Sequence, residues 1–122
     1  MILGIGTDII EIERIENAIL KNPKFLEKLF SKEERNMFKA RNMKSEVIAG
    51  NFAAKEAISK ALGTGVRGFS LNEIEVLRDD LGKPIVKLSS NIESIIKNNY
   101  KINLSISHNK TSAIAFAIVE ES

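Results

Sequence analysis

Residues 45–62 read SEVIAGNFAAKEAISKAL. The stretch is rich in Ala, Leu, Ile, Glu and Lys and closes at Gly63, which tolerates the left-handed backbone that often ends a helix. One long helix is predicted. On a helical projection Ala53, Ala54, Ala57, Ile58, Ala61 and Leu62 form a wide apolar arc, with Lys55, Glu56, Ser59 and Lys60 on the opposite arc beside Phe52. Such a helix needs a layer to pack on, and the chain on both sides of it reads as strands.

Upstream, residues 2–12, ILGIGTDIIEI, are β-branched and glycine-rich, which predicts a strand with Gly4, Gly6, Asp8 and Ile10 on one face. Residues 13–20 and 23–29 read as short helices broken at Asn22 and Pro23. Ser31 precedes Glu34 by three positions, a capping-box spacing, so a helix is expected over about 32–40, followed by a polar loop at 40–46. Downstream, Gly63, Thr64, Gly65 and Gly68 make a loop. Residues 73–78 (EIEVLR) and 84–88 (PIVKL) flank DDLGKP as a hairpin, and SSNIESIIKNN is a short helix. INLSISH and SAIAFAIVE, separated by Asn109, Lys110 and Thr111, form a second hairpin. There is no internal repeat. The order predicts a mixed α+β fold with sheet at both ends of the chain.

With 122 residues, 43% hydrophobic and 28% charged, the chain is expected to form one soluble domain over residues 1–122. No run approaches the roughly 20 apolar residues of a membrane span, and Asp8, Glu11 and Glu13 interrupt any signal-type core, so a cytoplasmic protein without a membrane partner is expected. The absence of cysteine excludes disulfides, thiolate zinc sites and cysteine nucleophiles, leaving oxygen ligands and one His for any metal. Residues 21–44 carry eight bases against three acids, a net of +5 within a chain total of +2. A basic segment of this kind attracts a phosphate-bearing ligand, an acidic protein or nucleic acid, or is simply a solvated surface.

Asp8 interrupts an otherwise apolar strand, so its carboxylate is either paired, hydrogen-bonded or metal-bound, or stands in water at a strand end. Glu56 lies four positions before Lys60, an ordinary helix-surface pair worth about 0.3–0.5 kcal/mol unless it has chemistry to do. His108, the only histidine, shares a strand face with Ile102, Leu104 and Ile106 and by itself reads as a strand-end surface residue. The Gly63-Thr64-Gly65 loop offers backbone amides, but it follows a helix C-terminus, where the dipole opposes anion binding.

Three segments together resemble one family: GIGTDIIEIERI, FAAKEAISKALGTG and SISHNKTSAIAFAI look like the signature regions of the holo-[acyl-carrier-protein] synthases, the small trimeric branch of the 4′-phosphopantetheinyl transferases. The match is in order and spans nearly the whole chain. It implies a 4′-phosphopantetheinyl transferase-like fold, a small antiparallel sheet packed with helices, with subunits associating as a homotrimer that has active sites at its interfaces. It also implies the reaction: transfer of 4′-phosphopantetheine from coenzyme A to a serine of apo acyl carrier protein, in support of fatty acid biosynthesis, releasing adenosine 3′,5′-bisphosphate. By the same resemblance, Asp8 and Glu56 hold Mg²⁺ and, with Lys60, are the catalytic residues. Mg²⁺ commonly takes one or two protein carboxylates plus substrate phosphates, so this short ligand set is chemically sufficient. Lys44, Ser59, Lys60, Gly63, Thr64, Gly65 and His108 are implied to bind coenzyme A, with His108 near its 3′-phosphate. Arg14, Lys24, Phe25 and Lys28 are implied to dock the acidic carrier protein. Either Glu56 or a metal-bound water is implied to accept the serine proton, and the water ranks first because a carboxylate on a metal is a poor base.

One departure is evident: many relatives have Arg before F-A-A-K-E-A, where this chain has Asn51. The phosphate contact assigned to that position then falls to Lys44 or to a neighbouring subunit. The alternative reading of the chain is a non-catalytic basic module that binds nucleic acid or an acidic protein. With no Trp, one Tyr and no recognition-helix motif, a nucleic-acid partner is not expected.

Overall fold

The computed structural model describes residues 1–63, 68–96 and 99–122. Its elements, in chain order, are β1 (Ile2–Glu11), α1 (Ile12–Lys21), α2 (Phe25–Leu29), α3 (Lys32–Ala40), α4 (Ser45–Ala61), a 3₁₀ turn (Leu71–Glu73), β2 (Ile74–Arg78), β3 (Pro84–Leu88), α5 (Ser90–Ile96), β4 (Tyr100–His108) and β5 (Ser112–Glu121). The strand expected through residue 12 ends at Glu11, and α1 starts at Ile12, whose amide donates to the Thr111 carbonyl (2.9 Å).

Two antiparallel sheets result, one ordered β1-β5-β4 and the other a β2-β3 hairpin. The ends of the chain are thus neighbours, β1 lying beside the last strand. In the first sheet Gly6 stands opposite Ala117, Asp8 opposite Ala115 and Ile10 opposite Ala113. Ala113, Ala115 and Ala117 are buried beneath α4 together with Ala53, Ala54, Ala57 and Ala61. Small residues on both layers bring helix and sheet into close contact. The extreme is at β1, where a Cβ built on Gly4 would lie 1.8 Å from the Ala61 carbonyl oxygen and one on Gly6 1.9 Å from that of Ala57. Glycine is required there by space rather than by backbone conformation.

The predicted capping box is present, with the Glu34 amide donating to Ser31 Oγ (3.2 Å) and the Ser31 amide donating to Glu34 Oε1 (3.0 Å). Ile12 and Ile15 of α1 and Phe30 and Phe38 around α3 complete the core.

The polar arc of α4 needs correcting. Lys55 and Ser59 do not share an outward face with Glu56 and Lys60; both are buried. Lys55 Nζ pairs with Glu34 Oε1 (2.5 Å) and donates to the carbonyls of Leu71 (3.0 Å) and Ile74. Asn51, also buried, donates to Glu34 Oε2 (3.1 Å) and the Val76 carbonyl (2.8 Å), while the Val76 amide donates to Glu34 Oε2 (3.2 Å). α4 is therefore enclosed by the three-stranded sheet on one side and by α3 and β2 on the other, with a buried polar network across the second contact. Burial pushes the Glu34 carboxyl up and the Lys55 ammonium down, and each is opposed by the charge of the other.

The outer face of the large sheet is apolar and exposed. Ile5 lies opposite Ile118 and Ile9 opposite Ile114 across β1 and β5, and Ile5, Ile9, Ile114 and Phe116 are all exposed. No helix among the described residues is long and apolar enough to cross a membrane.

Candidate active site

The contact of β1 with α4 that the glycines permit brings three charged side chains together. Asp8 projects from the helix-facing side of β1, two positions beyond Gly6. Lys60, near the end of α4, reaches back to donate to the Thr7 carbonyl (2.9 Å) and to Asp8 Oδ1 (3.4 Å). Glu56, one helical turn earlier and half-buried, completes the cluster. Its carboxyl is held above the usual range by burial first and then by the Asp8 charge, with Lys60 opposing. The Lys60 side chain is 57% exposed and Asp8 18%, so the pair faces solvent and its ion-pair energy adds little stability. Two carboxylates set against each other beside one ammonium are electrostatically incomplete, and a cation relieves the repulsion. The donor set is all oxygen. Among the described residues no group of three or more His, Cys, Asp or Glu gathers as a metal site, so Asp8 and Glu56 stand as a pair.

The other sequence-derived positions fall in several places. Gly63 lies just past α4 at φ +77°, exposed and close in sequence to Lys60, whereas Thr64 and Gly65 lie outside the described residues. Ser59 turns inward, its hydroxyl donating to the Lys55 carbonyl (2.9 Å), so it offers no outward hydroxyl. Lys44 is the exposed N-cap residue of α4. His108 ends β4, exposed, and lines a cavity of about 290 Å³ with Arg41, Glu46, Gly50, Arg78 and Ile106. Arg14, Lys24 and Lys28 are exposed on α1, before α2 and on α2, while the half-buried Phe25 sets its ring edge-on to Phe30 (centroids 6.4 Å apart). The structure thus unites Asp8, Glu56 and Lys60. His108 and Lys44 stand toward the opposite end of α4.

The relations of this chain bear on the site directly. The model of the 4′-phosphopantetheinyl transferase superfamily matches residues 4–119. A holo-[acyl-carrier-protein] synthase of Clostridium botulinum (strain Eklund 17B / Type B) is 58% identical over 121 residues, 98% of each chain. The chain belongs to the holo-[acyl-carrier-protein] synthases of the 4′-phosphopantetheinyl transferase superfamily. Among solved structures of these synthases, one from Bacillus anthracis str. Ames in complex with CoA (3′,5′-ADP) is 44% identical, with a TM-score of 0.83, covering 100% of this chain and 99% of that one. Another, from Helicobacter pylori in complex with coenzyme A, is 36% identical, with a TM-score of 0.84, covering 95% and 99%. The α+β architecture of two small antiparallel sheets around α4 is therefore that of the synthase family.

Sequence reasoning missed the inward roles of Glu34, Lys55 and Asn51 and did not single out Arg41 or Arg78. The capping box marked Glu34 only locally, and nothing in EIEVLR distinguishes Arg78.

Proposed function

We propose that this chain, as one domain over residues 1–122, transfers 4′-phosphopantetheine from coenzyme A to a serine of apo acyl carrier protein, releasing adenosine 3′,5′-bisphosphate. The observation that carries the reading is the convergence of Asp8, Glu56 and Lys60 at the β1–α4 contact, in a chain whose relatives are synthases solved with coenzyme A. In the reaction the serine oxygen bonds to the pantetheine-bearing phosphorus as its proton passes to water and the bridging P–O bond breaks, and the nucleotide leaves with the bond electrons. Mg²⁺ fits the pair of Asp8 and Glu56, and when bound it would neutralise charge on the diphosphate. Lys60 donates an N–H to the same diphosphate and favours the leaving phosphate as charge accumulates on it. The Thr7 carbonyl and Asp8 aim that ammonium.

Two further supports concern partners. The exposed Ile5, Ile9, Ile114 and Phe116 form an unpartnered apolar sheet face, and burying it between copies would give the homotrimer of the family resemblance. Asp8, Glu56 and Lys60 sit against the second half of α4 and His108 against the first, so a trimer that lays one protomer's carboxylates beside the next protomer's His108 would join the two parts. The +5 segment, with Arg14, Lys24, Phe25 and Lys28, faces an acidic carrier protein. We take the enzyme as cytoplasmic, with no membrane or nucleic-acid partner.

The test is transfer to an apo carrier protein by wild type, Asp8→Asn and Glu56→Gln, each confirmed folded by circular dichroism, with Mg²⁺ and with a chelator. Loss of transfer in both variants and with the chelator is expected. Full activity in either variant removes that residue from the metal role.

A further inference from the structure

The departure at Asn51 has a structural counterpart across the helix. Arg78, at the end of β2, donates from Nη2 to Asn51 Oδ1 (2.9 Å) and from Nη1 to the Leu77 carbonyl (3.3 Å). Asn51 cannot swing away, because its amide nitrogen is held by Glu34 and the Val76 carbonyl in the buried network. The half-buried guanidinium is thus fixed at one edge, and it lines the His108 cavity together with Arg41 and residues from the start of α4. Burial first and then the Arg41 charge depress the Arg78 pKa, with the Glu34 charge opposing. Among the described residues neither Arg41 nor Arg78 has a carboxylate within salt-bridge distance, although Glu46 also lines the cavity. Two guanidiniums held against one cavity with no carboxylate in direct contact repel each other, an anion bound there relieves that repulsion, and a guanidinium has five N–H donors, of which Arg78 spends two.

We propose that Arg78, positioned by Asn51, binds a phosphate monoester in this cavity together with Arg41 and His108, and so makes the enzyme select the 3′-phosphate of coenzyme A. The proposal rests on the transferase reading above and deepens it. It assigns to a residue of β2 the guanidinium that Asn51 does not supply from α4. Arg78 is a binding residue and Asn51 a positioning one. The Asp8, Glu56 and Lys60 cluster is separate, since Asn51 and Lys60 are nine positions apart on α4, about 13 Å along its axis.

The experiment compares coenzyme A with 3′-dephospho-coenzyme A as donors for wild type, Arg78→Gln, Arg78→Lys and Asn51→Ala, with kcat and KM measured separately. Calorimetric titration with adenosine 3′,5′-bisphosphate and with adenosine 5′-monophosphate accompanies it. For Arg78→Gln, KM for coenzyme A is expected to rise about 10- to 100-fold, as for loss of a charge-assisted contact, with kcat and the KM for the dephospho donor nearly unchanged. Arg78→Lys is expected to recover part of the discrimination, and Asn51→Ala to lose part of it. Equal discrimination by wild type and Arg78→Gln would overturn the proposal and leave the transferase reading intact, whereas absence of transfer by wild type would overturn the transferase reading itself. If Arg78→Gln does not fold, Arg41→Gln, at the exposed end of α3, decides the same question: lost discrimination supports the shared site and unchanged discrimination refutes it.

Discussion

Replacing Gly6 by alanine tests how the fold makes the site. The added methyl would stand 1.9 Å from the Ala57 carbonyl oxygen and 2.8 Å from the Ala61 amide nitrogen, both backbone atoms of α4 that no rotamer change can move. Restoring even the tightest tolerable contact requires β1 and α4 to part by about 1 Å, which strains a close-packed interface at a cost of about 1–3 kcal/mol. The same separation acts on Asp8, two residues along β1, and on the bonds from Lys60 to Thr7 (2.9 Å) and Asp8 (3.4 Å), which would no longer hold. Misplacement of this size at a reacting centre costs about 100-fold in rate. Urea denaturation should therefore show a lower midpoint with an unchanged slope, and kcat/KM for transfer should fall about 100-fold under conditions where the variant is folded. A Gly6→Ala protein with wild-type stability and wild-type transfer would refute the argument that helix-to-strand contact sets the catalytic geometry.

Other expectations concern separate parts of the molecule. Glu34→Gln leaves the Lys55 ammonium buried without its partner and should cost about 3–5 kcal/mol, whereas Glu34→Leu combined with Lys55→Met should recover most of that loss in a double-mutant cycle by chemical denaturation. Glu73, bonded by the Ser70 amide, Asn91 and Ser89, has its carboxyl held below the usual 4.5. Its contribution to stability is present above pH 4.5 and is lost as pH falls through the depressed value, so Glu73→Gln should flatten acid denaturation in that window. If copies associate through the exposed sheet face as proposed, Phe116→Glu should convert the wild-type oligomer to monomer in sedimentation and abolish transfer, and a fully active monomer would defeat the interface-site reading. Raising salt should lower kcat/KM for the carrier protein, and Lys24→Glu with Lys28→Glu should raise KM for the carrier while leaving that for coenzyme A in place.

What the sequence makes legible is what local chemistry determines. The Ser31–Glu34 box, the Gly63 terminus of α4 and both hairpins follow from neighbours a few positions apart, and the structure holds them where the pattern put them. Asp8, as a carboxylate in an apolar strand, stands out as an anomaly, but only contact across 52 positions joins it to Lys60. The inward turn of Lys55 and Ser59 is not legible, because a helical projection assigns polar residues to water, whereas here Glu34 and three backbone carbonyls satisfy them from inside. Asn51 reads in the chain as a missing arginine. In the fold its amide is the anchor of Arg78, a residue 27 positions away with no local signature.

Intact-mass spectrometry of an apo acyl carrier protein incubated with this protein, coenzyme A and Mg²⁺, with a chelator control, probes the transferase reading without intermediaries. A metal-dependent gain of one phosphopantetheine per carrier is expected, matched by one equivalent of adenosine 3′,5′-bisphosphate released. An unmodified carrier in the presence of folded protein shown to oligomerise, across several carriers, would contradict that reading and favour a module that binds an acidic protein without catalysis.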